Sequence, residues 1–263
     1  MRHDSRSVLT RPSSPPDVTV RYGDHPDQVA DVRRPVGPPR AMVIFLHGGF
    51  WRNEYDRSHT GPLATALAGA GIIAITPEYR RTGAPGGGWP GTLDDVAAAV
   101  RAVPDLVTQD LGAPILAGHS AGGHLALWAA AGLAREGRPP RGVVALAPVA
   151  DLARAFELDL DGGAVLALLG GRPTEVPDRY ARADPMALLP IGAPMIVCHG
   201  DRDTVVPLEI SERFVGAAAA AGDDVTLAAW EDIDHFDVID PESAAWSRVL
   251  TCIERFCPAI GPH

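Results

Sequence analysis

Ala113-Pro114-Ile115-Leu116-Ala117-Gly118-His119-Ser120-Ala121-Gly122-Gly123 leads from an apolar run, through a Gly-x-Ser-x-Gly pentapeptide, into an Ala/Leu-rich segment. A buried strand that ends in this pentapeptide and opens a helix is a nucleophile elbow. The glycines permit a sharp turn and strip bulk from around Ser120, so its hydroxyl stands clear above the end of a sheet. In a chain with 28 glycines the pentapeptide alone is a weak signal, and its surroundings decide.

Outward from this run, strands and helices alternate. Residues 41–46, 71–76, 114–117, 142–147 and 194–198 are near-continuous apolar runs, the pattern of parallel strands covered on both faces. Residues 18–22 and 29–33 alternate like edge strands, and 224–230 reads as the last strand. Residues 63–70, 93–103, 123–134, 208–221 and 242–256 have helical spacing, with Thr92 placed to cap the second of them. The expectation is an α/β fold: a mostly parallel eight-stranded sheet with helices on both faces and a ligand crevice at the carboxyl ends of the strands. Residues 152–190 break the rhythm and are a candidate small lid. Residues 1–16, with Arg11-Pro12-Ser13-Ser14-Pro15-Pro16, read as a flexible arm before a single domain over 17–263.

A serine hydroxyl needs an imidazole to take its proton, and the imidazole needs a carboxylate to fix its tautomer. After the strand at 194–198 comes His199-Gly200-Asp201-Arg202-Asp203-Thr204-Val205-Val206-Pro207, and after the last strand Glu231-Asp232-Ile233-Asp234-His235-Phe236-Asp237. The order Ser, Asp, His suits Ser120 as nucleophile, Asp203 as orienting acid and His235 as base. Asp201 competes with Asp203; its alternative reading is a loop residue bonding nearby amides. Of nine histidines, His235 alone occupies the loop directly after the final strand. Asp232, Asp234 and Asp237 crowd it and favour its protonated form where they lie close. The oxyanion would be received by the amide of Ala121 and by that of Gly49 or Phe50, in His47-Gly48-Gly49-Phe50-Trp51. Phe50, Trp51, Trp89 and Phe236 are candidate substrate contacts, set against ordinary packing. Glu78 reads as a loop anchor, or as a partner for a cationic group of substrate. His47, His119, His124 and His199 read as structural.

The remaining features narrow the class. A formal net charge of −10, with no Lys/Arg stripe, argues against nucleic-acid partners. No apolar run is long enough to span a membrane, and the N-terminus lacks the apolar core of a signal peptide. Cys198, Cys252 and Cys257 suit unlinked thiols in a reducing, cytoplasmic setting. No Cys/His framework or calcium-loop spacing is present, so no metal and no cofactor is expected. Gly83-Ala84-Pro85-Gly86-Gly87-Gly88 lacks the Lys-Ser/Thr of a phosphate loop and reads as a loop beside the crevice.

With these residues in place, the chain resembles the α/β-hydrolase superfamily from about Val18 to its C-terminal helix. His47-Gly48-Gly49-Phe50-Trp51 together with Gly118-His119-Ser120-Ala121-Gly122-Gly123-His124-Leu125 is similar to the kynurenine formamidase branch and its esterase relatives. His199-Gly200-Asp201-Arg202-Asp203 is similar to the acid loop of prolyl-oligopeptidase-like esterases, whose second aspartate serves the triad. The resemblance implies a cofactor-independent serine hydrolase acting on a small-molecule ester or amide. Short-chain or aryl esters and N-formyl arylamines lead, and acyl transfer or a non-catalytic receptor on the same fold are the alternatives.

Overall fold

The computed structural model describes residues 4–108 and 111–258. In chain order the strands and helices are β1 (Val18–Arg21), β2 (Val29–Arg33), β3 (Ala41–Leu46), α1 (Gly61–Gly69), β4 (Ile72–Pro77), α2 (Gly91–Val107), β5 (Ile115–His119) and α3 (Ala121–Arg135). There follow β6 (Gly142–Leu146), α4 (Leu152–Glu157), α5 (Ala164–Leu169), α6 (Pro177–Ala183), β7 (Met195–Gly200), α7 (Leu208–Ala220), β8 (Val225–Trp230) and α8 (Trp246–Glu254). The strands form one eight-stranded sheet in the order β1-β2-β4-β3-β5-β6-β7-β8. β1–β2 and β2–β4 are antiparallel, and every other pair is parallel.

Strands β3 to β7 are buried at every position because both sheet faces are covered. The period of two then deals alternate residues to two separate cores. Met42, Ile44 and Leu46 join the core that α2, α3 and α7 complete, whereas Ala41, Val43 and Phe45 join the one beneath α1 and α8. Chain direction across the sheet reverses between β3 and β5, since β4 lies on one side of β3 and β5 on the other. A crevice opens beyond the carboxyl ends at such a switch point. The loops after β3 and β5 are those carrying His47-Gly48-Gly49-Phe50 and Ser120.

Several elements differ from expectation. Thr92 lies inside α2 rather than capping it, and its hydroxyl bridges Arg80 O and the Gly88 amide. The last helix starts at Trp246, because Ser243 Oγ donates to Asp237 O and accepts from the Ala245 amide, making residues 242–245 a turn. The stretch expected to be a flexible arm contains a 3-10 helix at Ser5–Thr10. Val8 is fully buried in the α1/α8 core, and Ser5 Oγ donates to Asp234 Oδ2 at 2.6 Å. Residues 152–190, the candidate lid, hold α4 to α6 and bury Leu152, Val165, Leu168, Leu169 and Tyr180 in the α2/α3/α7 core. No helix among the described residues is long and apolar enough to cross a membrane.

Candidate active site

Ser120 sits between β5 and α3 with φ 56° and ψ −119°, a conformation that costs a non-glycine residue energy. Close packing enforces it. A Cβ on Gly122 would lie 2.0 Å from Leu46 O, and one on Gly118 would lie 2.2 Å from Gly122 O. The start of α3 can rest on the end of β3 only where no side chain intervenes. Ser120 is 2% exposed and lines a cavity of about 270 Å³.

His235 lines the same cavity. Its Nδ1 lies 2.6 Å from Asp203 Oδ2, and its Nε2 has no hydrogen-bond partner among the described residues. The other carboxylate oxygen, Oδ1, accepts the amides of Val205 and Val206, each at 2.8 Å. Burial works against the Asp203 charge, but hydrogen bonds from His199 and His235 outweigh it and hold the carboxyl well below the usual range. An ionised Asp203 keeps the His235 proton on Nδ1 and leaves the Nε2 lone pair as a base.

His199, which in the sequence reads as structural, is a member of this cluster. Its Nε2 lies 3.1 Å from Asp203 Oδ2 and 2.9 Å from Val206 O, so that nitrogen donates, while Nδ1 faces Ser211 Oγ at 2.7 Å. His119 also braces the site. Its Nε2–H donates to His235 O at 2.8 Å and its ring packs on the His235 ring, centroids 4.4 Å apart. Burial, then the neighbouring His235, drives the His119 value well below the ordinary one, so it is neutral. The crowding aspartates face elsewhere: Asp234 Oδ1 accepts the amides of Phe236 and Asp237, Asp237 Oδ2 accepts that of Asp234, and Asp232 pairs with Arg202. Asp201 accepts the Asp232 amide at 2.7 Å, tying the two loops together.

Opposite His235, Gly49, Phe50 and Trp51 take φ of 105°, 47° and 58° in succession. The amides of Gly49, Phe50 and Ala121 donate to no acceptor among the described residues. A run of left-handed residues with free N–H groups is an anion-binding concavity. His47 fastens the loop, with Nδ1 2.8 Å from Gly48 O and Nε2 2.8 Å from Glu78 Oε1, and Tyr79 Oη donates to His47 O. Glu78 is therefore an anchor: burial raises its value, but His47 and Arg81 bring it below the usual range.

The expected aromatic contacts separate. Phe50 and Phe236 line the cavity. Trp51 does not: it is fully buried, edge-on to His124 at 5.2 Å, because the left-handed turn sends its side chain into the core. Trp89 packs outside the cavity beneath Arg182, whose guanidinium lies 5.3 Å from the ring centre.

A sequence profile described as alpha/beta hydrolase fold matches residues 43–237. The esterase LipC of Mycobacterium tuberculosis is 32% identical over 74% of this chain and 53% of its own length. An acetyl-hydrolase of Streptomyces hygroscopicus is 32% identical over 77% of this chain and 70% of its own. A probable isoprenylcysteine alpha-carbonyl methylesterase of Oryza sativa is 28% identical over 84% and 58%. The chain thus spans little more than half the length of LipC and of the rice protein. Among solved structures, a truncated carbohydrate esterase from gut microbiota superposes with a TM-score of 0.77 at 20% identity, covering 92% of this chain and 99% of that one. Esterase B from Lactobacillus Rhamnosis gives 0.76 at 20% identity, covering 96% and 89%. At these identities the structures attest the fold.

Proposed function

The chain belongs to the alpha/beta hydrolase fold family, and from that premise we propose that it is a serine hydrolase of small carboxylic esters. The observation that carries this reading is the Asp203–His235 pair, closed at 2.6 Å in the cavity that Ser120 lines. Ser120 Oγ attacks the acyl carbon while His235 Nε2 takes its proton, and Asp203 stabilises the imidazolium. The amides of Ala121 and of Gly49 or Phe50 receive the oxyanion; one such donor is typically worth about 10²–10³ in rate. His235 then protonates the departing alkoxide, leaving an acyl group on Ser120. A water, deprotonated by the same nitrogen, attacks that acyl group and restores the serine.

The cavity volume, about 270 Å³, lies just below the ~300–1,000 Å³ usual for ligand pockets, which favours a short acyl group. The ester-cleaving relatives favour an ester over an aryl formamide. The test compares kcat/KM for 4-nitrophenyl acetate and N-formylkynurenine in the parent protein and in Ser120→Ala. The expected result is ester turnover that falls by about 10⁴–10⁶ in the variant with the fold retained. Turnover that survives the substitution would overturn the reading. A strong preference for the formamide would move the substrate class to arylformamides on the same residues.

A further inference from the structure

The mouth of the Ser120 cavity carries a charge that ester hydrolysis as such does not require. Arg6, on the N-terminal 3-10 helix, lines the cavity beside Leu9. Its guanidinium lies 5.1 Å from the centre of the Phe236 ring and makes no ion pair or hydrogen bond with any described residue. The helix that presents it is fixed at both ends. Ser5 Oγ donates to Asp234, Arg11 Nη2 donates to Asp240 Oδ2 at 2.8 Å, and Val8 is fully buried between them. The Asp4 carboxylate accepts the Arg6 amide.

The other charges near this wall are already occupied. Asp234 is taken up by Ser5 and by two loop amides, and Asp161, the carboxylate lining the cavity, is paired with Arg52. His59 also lines it, with its value pushed down to about 4 by burial and by nearby His47. Among the described residues that line the cavity, Arg6 is the only arginine or lysine, and it has no ion-pair partner among them. On a chain of net charge −10, an approaching anion is repelled by the whole molecule unless a local cation receives it.

Position decides which end of a substrate meets Arg6. His235 returns its proton to the departing oxygen, so the alcohol portion leaves across the His235 side of the cavity. Phe236 follows His235 in the chain, its ring is edge-on to the imidazole at 5.1 Å, and Arg6 lies over Phe236. We propose that Arg6 binds a carboxylate carried by the leaving alcohol, so that the preferred substrates are short-chain esters of hydroxy or phenolic acids. The carboxylate would take the guanidinium as a two-pronged donor while the attached ring or chain rests on Phe236.

This inference rests on the hydrolase reading, and one pair of substrates separates the two. 4-Acetoxybenzoate and 4-acetoxybenzamide share an acyl group and nearly a shape, and differ in the charge of the leaving group. The expected result is a ratio of kcat/KM, anionic over neutral, that falls about tenfold in Arg6→Gln and further in Arg6→Glu, with the change in KM. Added salt should shrink the ratio in the parent protein but not in Arg6→Gln. A ratio indifferent to residue 6, with the neutral ester still turned over through Ser120, would remove this inference and leave the hydrolase reading standing. Failure of the parent protein to turn over either ester would remove both.

Discussion

Asp203 shows how a single side chain can be bound from every direction and still serve one neighbour. Val205 and Val206 amides hold Oδ1, while His199 and His235 share Oδ2. In Asp203→Asn the two amides would claim the carboxamide oxygen, which turns the NH2 toward both imidazoles. His235 would then have to present a lone pair at Nδ1 and carry its proton on Nε2, where it is no longer a base. The expected fall in kcat at neutral pH is about 10⁴ with a native fold; steady-state kinetics on the ester identified above would measure it, and a loss below tenfold would pass the acid's role elsewhere. The position of Asp203 was legible because a strand-end loop in the third catalytic segment leaves few candidates. The His199 contact was not, although its i,i+4 spacing from Asp203 across the turn was a usable signal. Trp51 was misleading for a backbone reason: three consecutive positive φ values invert the direction of the side chain, and residue type does not encode that.

Among elements, the β3–β5–α3 unit was the most legible, because strands covered on both faces leave continuous apolar runs and the following glycines mark the turn. The N-terminal 3-10 helix was the least. Its anchors, Asp234 and Asp240, lie more than two hundred residues away, and a Pro/Ser-rich composition carries no trace of them. The glycines of α3 separate packing from propensity within one helix. A Cβ at Gly122 meets two carbonyl oxygens of β3 and its loop, Leu46 O at 2.0 Å and His47 O at 2.4 Å, and no rotamer relieves a backbone clash. Gly122→Ala must push α3 away from β3, carrying the Ala121 amide from the Gly49–Phe50 loop. That predicts a loss of about 10²–10³ in kcat together with a lowered Tm. Gly132, in the same helix, has nothing within 4 Å of its Cβ position. Gly132→Ala should stabilise the protein by up to about 1 kcal/mol and leave kcat alone. Thermal unfolding and kinetics of the two variants check both, and equal behaviour of the pair would show that the elbow is not set by this contact.

At the scale of the whole molecule, the packing that excludes water from the site also makes the protein sensitive to acid. Burial pushes His124 down to about 4; burial together with His47 does the same to His59, and burial with His235 drives His119 well below its ordinary value. In the unfolded chain each titrates near ~6.5. A depressed folded value means that the stability from keeping these rings neutral is complete above about pH 6.5 and is lost as pH falls, for His124 and His59 toward about 4. Asp184 has the opposite sign. Burial pushes it up to about 6 despite amides donated by Leu152, Met186 and Ala153, so below that pH it takes up a proton in the folded state and offsets one histidine. Asp203 enters only below ~4, where its own stabilisation is shed. Three histidines against one carboxyl leave about two protons, or about 3 kcal/mol per pH unit near pH 5. A fall from pH 6 to 4.5 then removes about 4 kcal/mol, a large share of the ~5–15 kcal/mol of a typical domain. Urea unfolding across this range should show the midpoint dropping steeply below about pH 6. His124→Gln keeps a donor for Ala183 O, which His124 Nε2 meets at 2.9 Å, but has no group to titrate, and should lower the slope by about one proton. A midpoint flat from neutral pH to pH 5, or a slope unchanged in His124→Gln, would mean that the buried histidines take up protons without opening the fold.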